Sequence, residues 1–360
     1  TTFSDDLTVA YQVDLFGRLS RAEQAAAADL LAQEWARRAL SHTVIARVVR
    51  TRVELAVLQR AVEVASSIQT SWQSTLETVE RRYRSGVVPA LDLRLARENQ
   101  ASVEAALVEA EAGLEHARHR LDVLLGRRPG TGDRLRGTLA ELPELDPVPM
   151  GLPVDLLDTR PDLMQAELRL AAATSRIGVA LADLFPSLSL TGSAGVRSDR
   201  LSDLASSDAL VYNAVANLLA PIFTGGQRRA EVQAARARAE AAAAEYAGAV
   251  LTALREVEDA LVAEHSARRR LEHNRRRVEE ARAADRIARR RYQRGVESLL
   301  RVLETERRLR AAEQALITTR GDVWHARVDL LLALGGDWLR GEGTDTTGDR
   351  ATQMGGRPLP

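Results

Sequence analysis

The chain has 360 residues, and its fifty acidic residues are balanced by fifty basic ones, all of them arginine, for a formal net charge of zero. That balance argues against a dedicated nucleic-acid binder, and the absence of cysteine excludes disulfides, thiolate metal sites and thiol nucleophiles. No run of about 18 apolar residues exists, which excludes a membrane-spanning helix, while 4% aromatics with abundant alanine suit close-packed helices better than a large mixed core.

The first pattern in the chain is alternation. Leu7, Val9, Tyr11, Val13 and Leu15 fall on one face of residues 7–15, with Thr8, Gln12 and Asp14 on the other, which predicts a strand broken at Phe16-Gly17. From Arg18 to Ser85 there is neither Gly nor Pro, which predicts a helix on the order of 100 Å long that must pack against other helices. A second helix is expected over 91–125. Residues 126–160 are rich in Gly and Pro and read as an irregular connector. Asp158-Thr-Arg-Pro161 opens a short helix over 161–184, stopped by Phe185-Pro186. At 1.5 Å per residue, the helices 91–125 and 161–184 together nearly match the long one, so stacked end to end they could flank it. Alternation returns over 187–197 and 210–222, around a polar loop, and Thr224-Gly225-Gly226 closes this β-hairpin. A second long helix runs from Gln227 to Arg294, followed by a shorter one to Leu334. The tail, 339–360, is rich in Gly, Thr, Arg and Pro and is expected to be disordered.

The helical parts repeat. Tyr83 and Gly86 match Tyr292 and Gly295 at an offset of 209, and the same offset carries Leu125-Gly126 onto Leu334-Gly335. Each glycine lies between two helical patterns, so 18–125 and 227–338 are two long helical hairpins with their tips at Gly86 and Gly295. The three alternating segments, of about 9–13 residues, have the length and pattern of transmembrane β-strands. They would suit a soluble sheet as well. Three or four strands cannot close a barrel, however, and open edges are not tolerated in hydrocarbon, so strands of several copies would share one barrel. The second half holds a helix and a strand that the first half lacks. Thr1 also opens in polar sequence without a signal peptide, so the expectation is either a cytosolic protein or a chain lacking its natural start.

Five stretches carry a family resemblance: Tyr11-Gln-Val-Asp-Leu-Phe-Gly-Arg18, Gly151-Leu-Pro-Val-Asp-Leu-Leu-Asp-Thr-Arg-Pro-Asp162, Ile177-Gly-Val-Ala-Leu-Ala-Asp-Leu-Phe-Pro-Ser-Leu-Ser-Leu-Thr-Gly192, Pro221-Ile-Phe-Thr-Gly-Gly226 and Ala333-Leu-Gly-Gly-Asp-Trp338. In this order they resemble the TolC family of outer-membrane factors, closest to its NodT-type lipoprotein branch of efflux channels. The resemblance implies a mainly α fold with membrane β-strands. It also implies a homotrimer whose duplicated hairpins build a periplasmic α-barrel and whose strands share a 12-stranded barrel in outer-membrane lipid. In these terms 1–17 is a barrel strand, 126–160 an equatorial connector and 185–226 a barrel hairpin. The partners implied are a periplasmic adaptor (membrane fusion) protein at the hairpin tips and an inner-membrane efflux pump; no cofactor is implied. Members of that branch usually carry a lipidated N-terminal cysteine, and this sequence has no cysteine.

The family match also places a periplasmic gate past the second tip. Glu304 and Arg307, three apart and so on one helix face, match an acid and an arginine of relatives. Arg301 stands where some relatives have a second acid, and Asp92 is its first-half counterpart. Charged rings of this kind set ion selectivity; ordinary solvated charges on a helix face would look the same. Arg82, Tyr83, Gly86, Tyr292, Arg294 and Gly295 shape the tips, as turn geometry, adaptor docking surface or both. The basic runs 268–270 and 275–277 are interleaved with Glu272, Glu279 and Glu280 and read as a salt-bridged face. His116 and His119 have only weak metal-site spacing. No nucleophile-and-base set or phosphate-binding glycine loop is present, so the reading is a transport duct and not an enzyme. The alternatives are a soluble coiled-coil scaffold or a non-functional fragment of such a channel.

Overall fold

The computed structural model describes residues 3–130, 145, 160–198 and 210–336. Nearly all of the connector, most of the loop between the second and third strands, and the tail lie outside these. Among the described residues the order is β1 (Phe3–Val13), α1 (Arg18–Arg84), α2 (Ala90–Leu124), α3 (Pro161–Ala182), β2 (Ser187–Ser198), β3 (Leu210–Leu219), α4 (Gln227–Gln293) and α5 (Leu299–Ala333). The duplication is exact in length. α1 and α4 both have 67 residues, and α2 and α5 both have 35.

Strand ends depart from the alternation. β1 starts at Phe3 because its ladder with β2 runs on through Asp6, Asp5 and Ser4 to Ser198, past the point where acidic residues hide the pattern. It stops at Val13 because Asp14 is turned to the start of α1, where its carboxylate accepts the Leu19 and Ser20 amides at 3.0 and 2.9 Å. Those bonds hold the Asp14 carboxyl below its ordinary value. β3 stops at Leu219, two residues before Pro221, which has no N–H for a ladder. α3 ends at Ala182, and its last bonds tighten to Leu184 N–H on Leu181 and Phe185 N–H on Ala182 just before Pro186.

The chain forms two compact units. The first comprises residues 1–39 and 161–252. Its sheet has the order β1-β2-β3, antiparallel throughout. The register puts Thr8, Ala10 and Gln12 on one face with Ser193, Thr191 and Ser189 and with Asn213, Val215 and Asn217. The other face carries Leu7, Val9, Tyr11 and Val13, Ala194, Gly192, Leu190 and Leu188, and Tyr212, Ala214, Ala216 and Leu218. That apolar face is open: Leu7 is 74% exposed and Tyr212 84%. Below the sheet, Phe16 stacks on Phe185 with ring centroids 4.6 Å apart. Arg18 lies 3.7 Å from Asp183, and Arg176 pairs with Asp29, joining α3 to the first turns of α1.

The second unit, residues 40–160 and 253–360, packs α2, α5 and the distal parts of α1 and α4. Its core is thin and rich in alanine, as close-packed helices require. Leu55, Leu114, Ala117 and Leu121 join α1 to α2, Ala56 and Ile317 join α1 to α5, and Ala260, Leu330 and Ala333 join α4 to α5. The basic run at 268–270 is salt-bridged, with Arg268 on Glu264 and Arg270 on Asp322 at 3.1 and 3.2 Å. Arg160, buried, donates to the Ala333 carbonyl at 2.7 Å and to Glu256 at 2.8 Å. It thereby ties the end of α5 to α4 within this unit.

Candidate functional site: the paired hairpin tips

Both tips are built by the same local chemistry. In the first, the Gly86 amide donates to the Tyr83 carbonyl and the Val87 amide to the Arg82 carbonyl, both at 2.9 Å. In the second, Gly295 donates to Tyr292 at 2.9 Å and Val296 to Arg291 at 3.1 Å. This is the paired Schellman closure of a helix C-terminus, which needs a left-handed residue at the turn. Gly86 and Gly295 supply it with φ of 70° and 75°. A Cβ at either would meet nothing within 4 Å, so it is the dihedral and not space that calls for glycine. The chain then extends through Pro89 or Ser298 and re-enters helix.

The two tips are joined by Arg82. Its guanidinium donates to the carbonyls of Tyr292 at 3.1 Å and Gln293 at 2.7 Å, and lies 5.2 Å from the centroid of the Tyr292 ring. These are the last carbonyls of α4, the negative end of its dipole, so a cation from the other hairpin caps the helix. Tyr292 is 7% exposed, in a cluster with Val79, Leu93, Ala96, Ala288, Leu299 and Val302. Its phenol is pushed up, first by burial and then by the Asp92 charge. Burial also pushes the Asp92 carboxyl up. Tyr83, the counterpart of Tyr292, is 41% exposed.

Glu304 and Arg307 share a face of α5, as the spacing predicts, and Arg307 donates to Glu304 at 2.7 Å. Arg308 donates to the other oxygen of the same carboxylate, also at 2.7 Å. The bonds from Arg307, then Arg308, hold the Glu304 carboxyl below its ordinary value. Arg307 and Arg308 remain about three-quarters exposed. Arg308, four residues from Glu304, is a second partner that the expected acid–arginine pair does not include. Arg301 is exposed on the first turn of α5, where its amide closes the turn on Ser298 at 3.2 Å. Arg294 closes the last turn of α4, its amide donating to Arg290.

Behind the tips lies a buried polar network that the sequence reading missed. Glu306, 3% exposed, pairs with Arg310 at 2.7 Å, and Arg310 also reaches the Asn99 side-chain oxygen at 3.1 Å. Arg289 pairs with Asp285 at 2.7 Å and lies 5.6 Å from the ring of the fully buried Trp72. Burial raises the Glu306 carboxyl despite its arginine partner. The first of these groups joins α5 to α2 and the second α4 to α1. Among the described residues no group of three or more His, Asp or Glu converges as a metal site.

Comparison with known proteins agrees with this architecture. The family described as "Outer membrane efflux protein" matches residues 1–127 and 152–336. The chain is 34% identical over 334 residues to the solvent efflux pump outer membrane protein SrpC of Pseudomonas putida, covering 92% of this chain and 70% of that protein. It is 30% identical over 340 residues to the cation efflux system protein CusC of Escherichia coli O6:H1, covering 93% and 73%. The solved structure of the outer-membrane channel OprN superposes with a TM-score of 0.86 at 31% identity, covering 94% of this chain and 82% of that one. With both duplicated halves matched and relatives aligned along most of their length, this chain belongs to the outer membrane efflux protein family.

Proposed function

We propose that three copies of this chain form the passive exit duct of a tripartite efflux system, with the hairpin tips docking a periplasmic adaptor coupled to an inner-membrane pump. The observation that carries this reading is the three-stranded sheet. It has one polar and one exposed apolar face. An apolar sheet face suits lipid and a polar one suits a water-filled lumen. Among the described residues the edges of β1 and β3 carry no further strand, which calls for strands from further copies, since backbone polar groups cannot stay unpaired in hydrocarbon.

In this reading Glu304 with Arg307 and Arg308 forms a ring of mixed charge near the tip, and Arg301 adds positive charge where it weakens selectivity for cations. Asp92 lies beside Tyr292 and belongs to the closure of the tip. No substrate bond is made or broken. The pump supplies the energy, and the adaptor acts by moving helices at Tyr83, Gly86, Tyr292 and Gly295. Cargo is chosen by the pump and adaptor; the relatives above are named for solvents and for cations.

The test is the native mass of the full chain in mild detergent, followed by conductance in planar bilayers. A trimer of stable conductance, with ion selectivity shifted in Glu304→Ala and Arg307→Ala, is expected. A monomer that stays soluble without detergent would refute the duct and leave a coiled-coil scaffold.

A further inference from the structure

At the tips the chain displays one arginine clasp between its hairpins and both halves of an unmade second one. Arg82 of the first hairpin caps the last carbonyls of α4 in the second and lies over Tyr292. At the repeat offset Arg82 corresponds to Arg291, Tyr292 to Tyr83, and the Gln293 carbonyl to that of Arg84. The two tips share the same turn, hydrogen for hydrogen. Their surroundings differ in one respect: Tyr292 is 7% exposed and Tyr83 is 41% exposed. Among the described residues no side chain reaches the carbonyl of Tyr83 or Arg84. Among the described residues the end of α1, closed by backbone bonds alone, therefore has no side-chain cap and stands beside an open aromatic face, the surface that Arg82 covers on the second hairpin.

We infer that Arg291 of one copy caps α1 of the next copy, donating to the Tyr83 and Arg84 carbonyls and lying over the Tyr83 ring. The occupant is a second copy of this chain, and the inference rests on the closed ring of copies proposed above. In such a ring hairpins of the two kinds alternate. If the first reaches the second through Arg82 within a chain, the second reaches the first of the neighbouring chain through Arg291.

The present partners permit the move. Arg291 rests 3.6 Å from Glu297, with 58% of its side chain exposed, and such an exposed pair holds it weakly. Arg84, which stands where Gln293 does and would repel an incoming guanidinium, lies 3.8 Å from Glu80. Capping carbonyls at a helix C-terminus is favourable for any cation, and arginine adds the planar fork and the stacking face. Each ring would then hold two sorts of clasp, one within chains and one between them.

The chain has no cysteine, so introduced thiols are the only ones present. Arg291→Cys with Tyr83→Cys, in the full chain in mild detergent, is treated with a short bifunctional methanethiosulfonate and run on a denaturing gel. Arg82→Cys with Tyr292→Cys is the within-chain control. The inference expects covalent dimers and trimers from the first pair, none from either single variant, and a monomer of altered mobility from the control. A native trimer in which the control reacts but Arg291→Cys with Tyr83→Cys keeps the mass of one chain overturns the inference and leaves the duct standing. A monomeric native mass overturns the ring and this clasp with it.

Discussion

Alanine at position 321 adds one methyl group where α5 passes α1. A Cβ built on Gly321 falls 2.7 Å from Val57 Cγ2, well inside van der Waals contact. Val57 cannot turn aside, because a β-branched side chain on a helix has one strongly preferred rotamer. Two effects oppose each other. Alanine in a helix interior is favoured over glycine by about 1 kcal/mol, and overpacking a fitted contact costs about 1–3 kcal/mol. The clash wins, for a net loss of about 1 kcal/mol. Gly113 in α2 is the control. Its nearest neighbour would be Leu58 Cδ2 at an ordinary 3.8 Å, so Gly113→Ala keeps the propensity gain of about 1 kcal/mol. Thermal unfolding followed by circular dichroism in mild detergent should therefore order the midpoints as Gly113→Ala above the parent and the parent above Gly321→Ala. Val57→Ala should relieve Gly321→Ala, giving non-additivity of about 1 kcal/mol. A Gly321→Ala midpoint that rises with that of Gly113→Ala would refute the close approach.

The tip glycines are needed for their dihedral alone, so Gly86→Ala and Gly295→Ala should each cost about 1–2 kcal/mol. Asparagine should be tolerated better at both, with faster amide exchange in the turns as the readout. Arg160→Ala removes a buried charged donor from the Ala333 carbonyl and from Glu256. A loss of about 2–3 kcal/mol in unfolding free energy is expected, and an unchanged midpoint would mean that these two bonds contribute nothing to stability. The carboxylates of Glu304 and Glu306 should titrate in opposite directions from 4.5. Glu304 is depressed, so its bonds to Arg307 and Arg308 are fully present above that value and are lost only as pH falls through a lower one. Glu306 is raised, so it takes up its proton first on acidification, above 4.5. Carboxyl chemical shifts compared with those of Glu304→Gln and Glu306→Gln would show the order, and Glu304 protonating first would contradict it.

Much of this fold was legible because it is written in local pattern. The Gly- and Pro-free run from Arg18 gave α1 to within one residue, and the offset of 209 located the second hairpin. Strand ends were less legible. Asp14 keeps the alternation but spends its carboxylate on a helix start, and Asp5 and Asp6 belong to the ladder although they interrupt the apolar pattern. At the tips, Gly86 and Gly295 could be read because a left-handed turn has a residue signature. The role of Arg82 could not, because its partners lie 210 and 211 positions away and are backbone carbonyls without side-chain identity. Glu306 and Asp285 were hidden for a related reason. In a chain with a hundred charges, nothing local marks the few that helix packing buries.

The two sheet edges left open among the described residues also bear on how channel number follows gene dose. A lone copy entering the bilayer would carry the unpaired polar groups of β1 and β3 into hydrocarbon at several kcal/mol for each group, which forbids the step. Copies must meet before they insert, so the rate of insertion rises more steeply than the first power of protomer concentration. Halving synthesis should then cut the rate of channel formation by more than half, and the delayed protomers would wait with an exposed apolar sheet face, open to proteolysis and to mispairing.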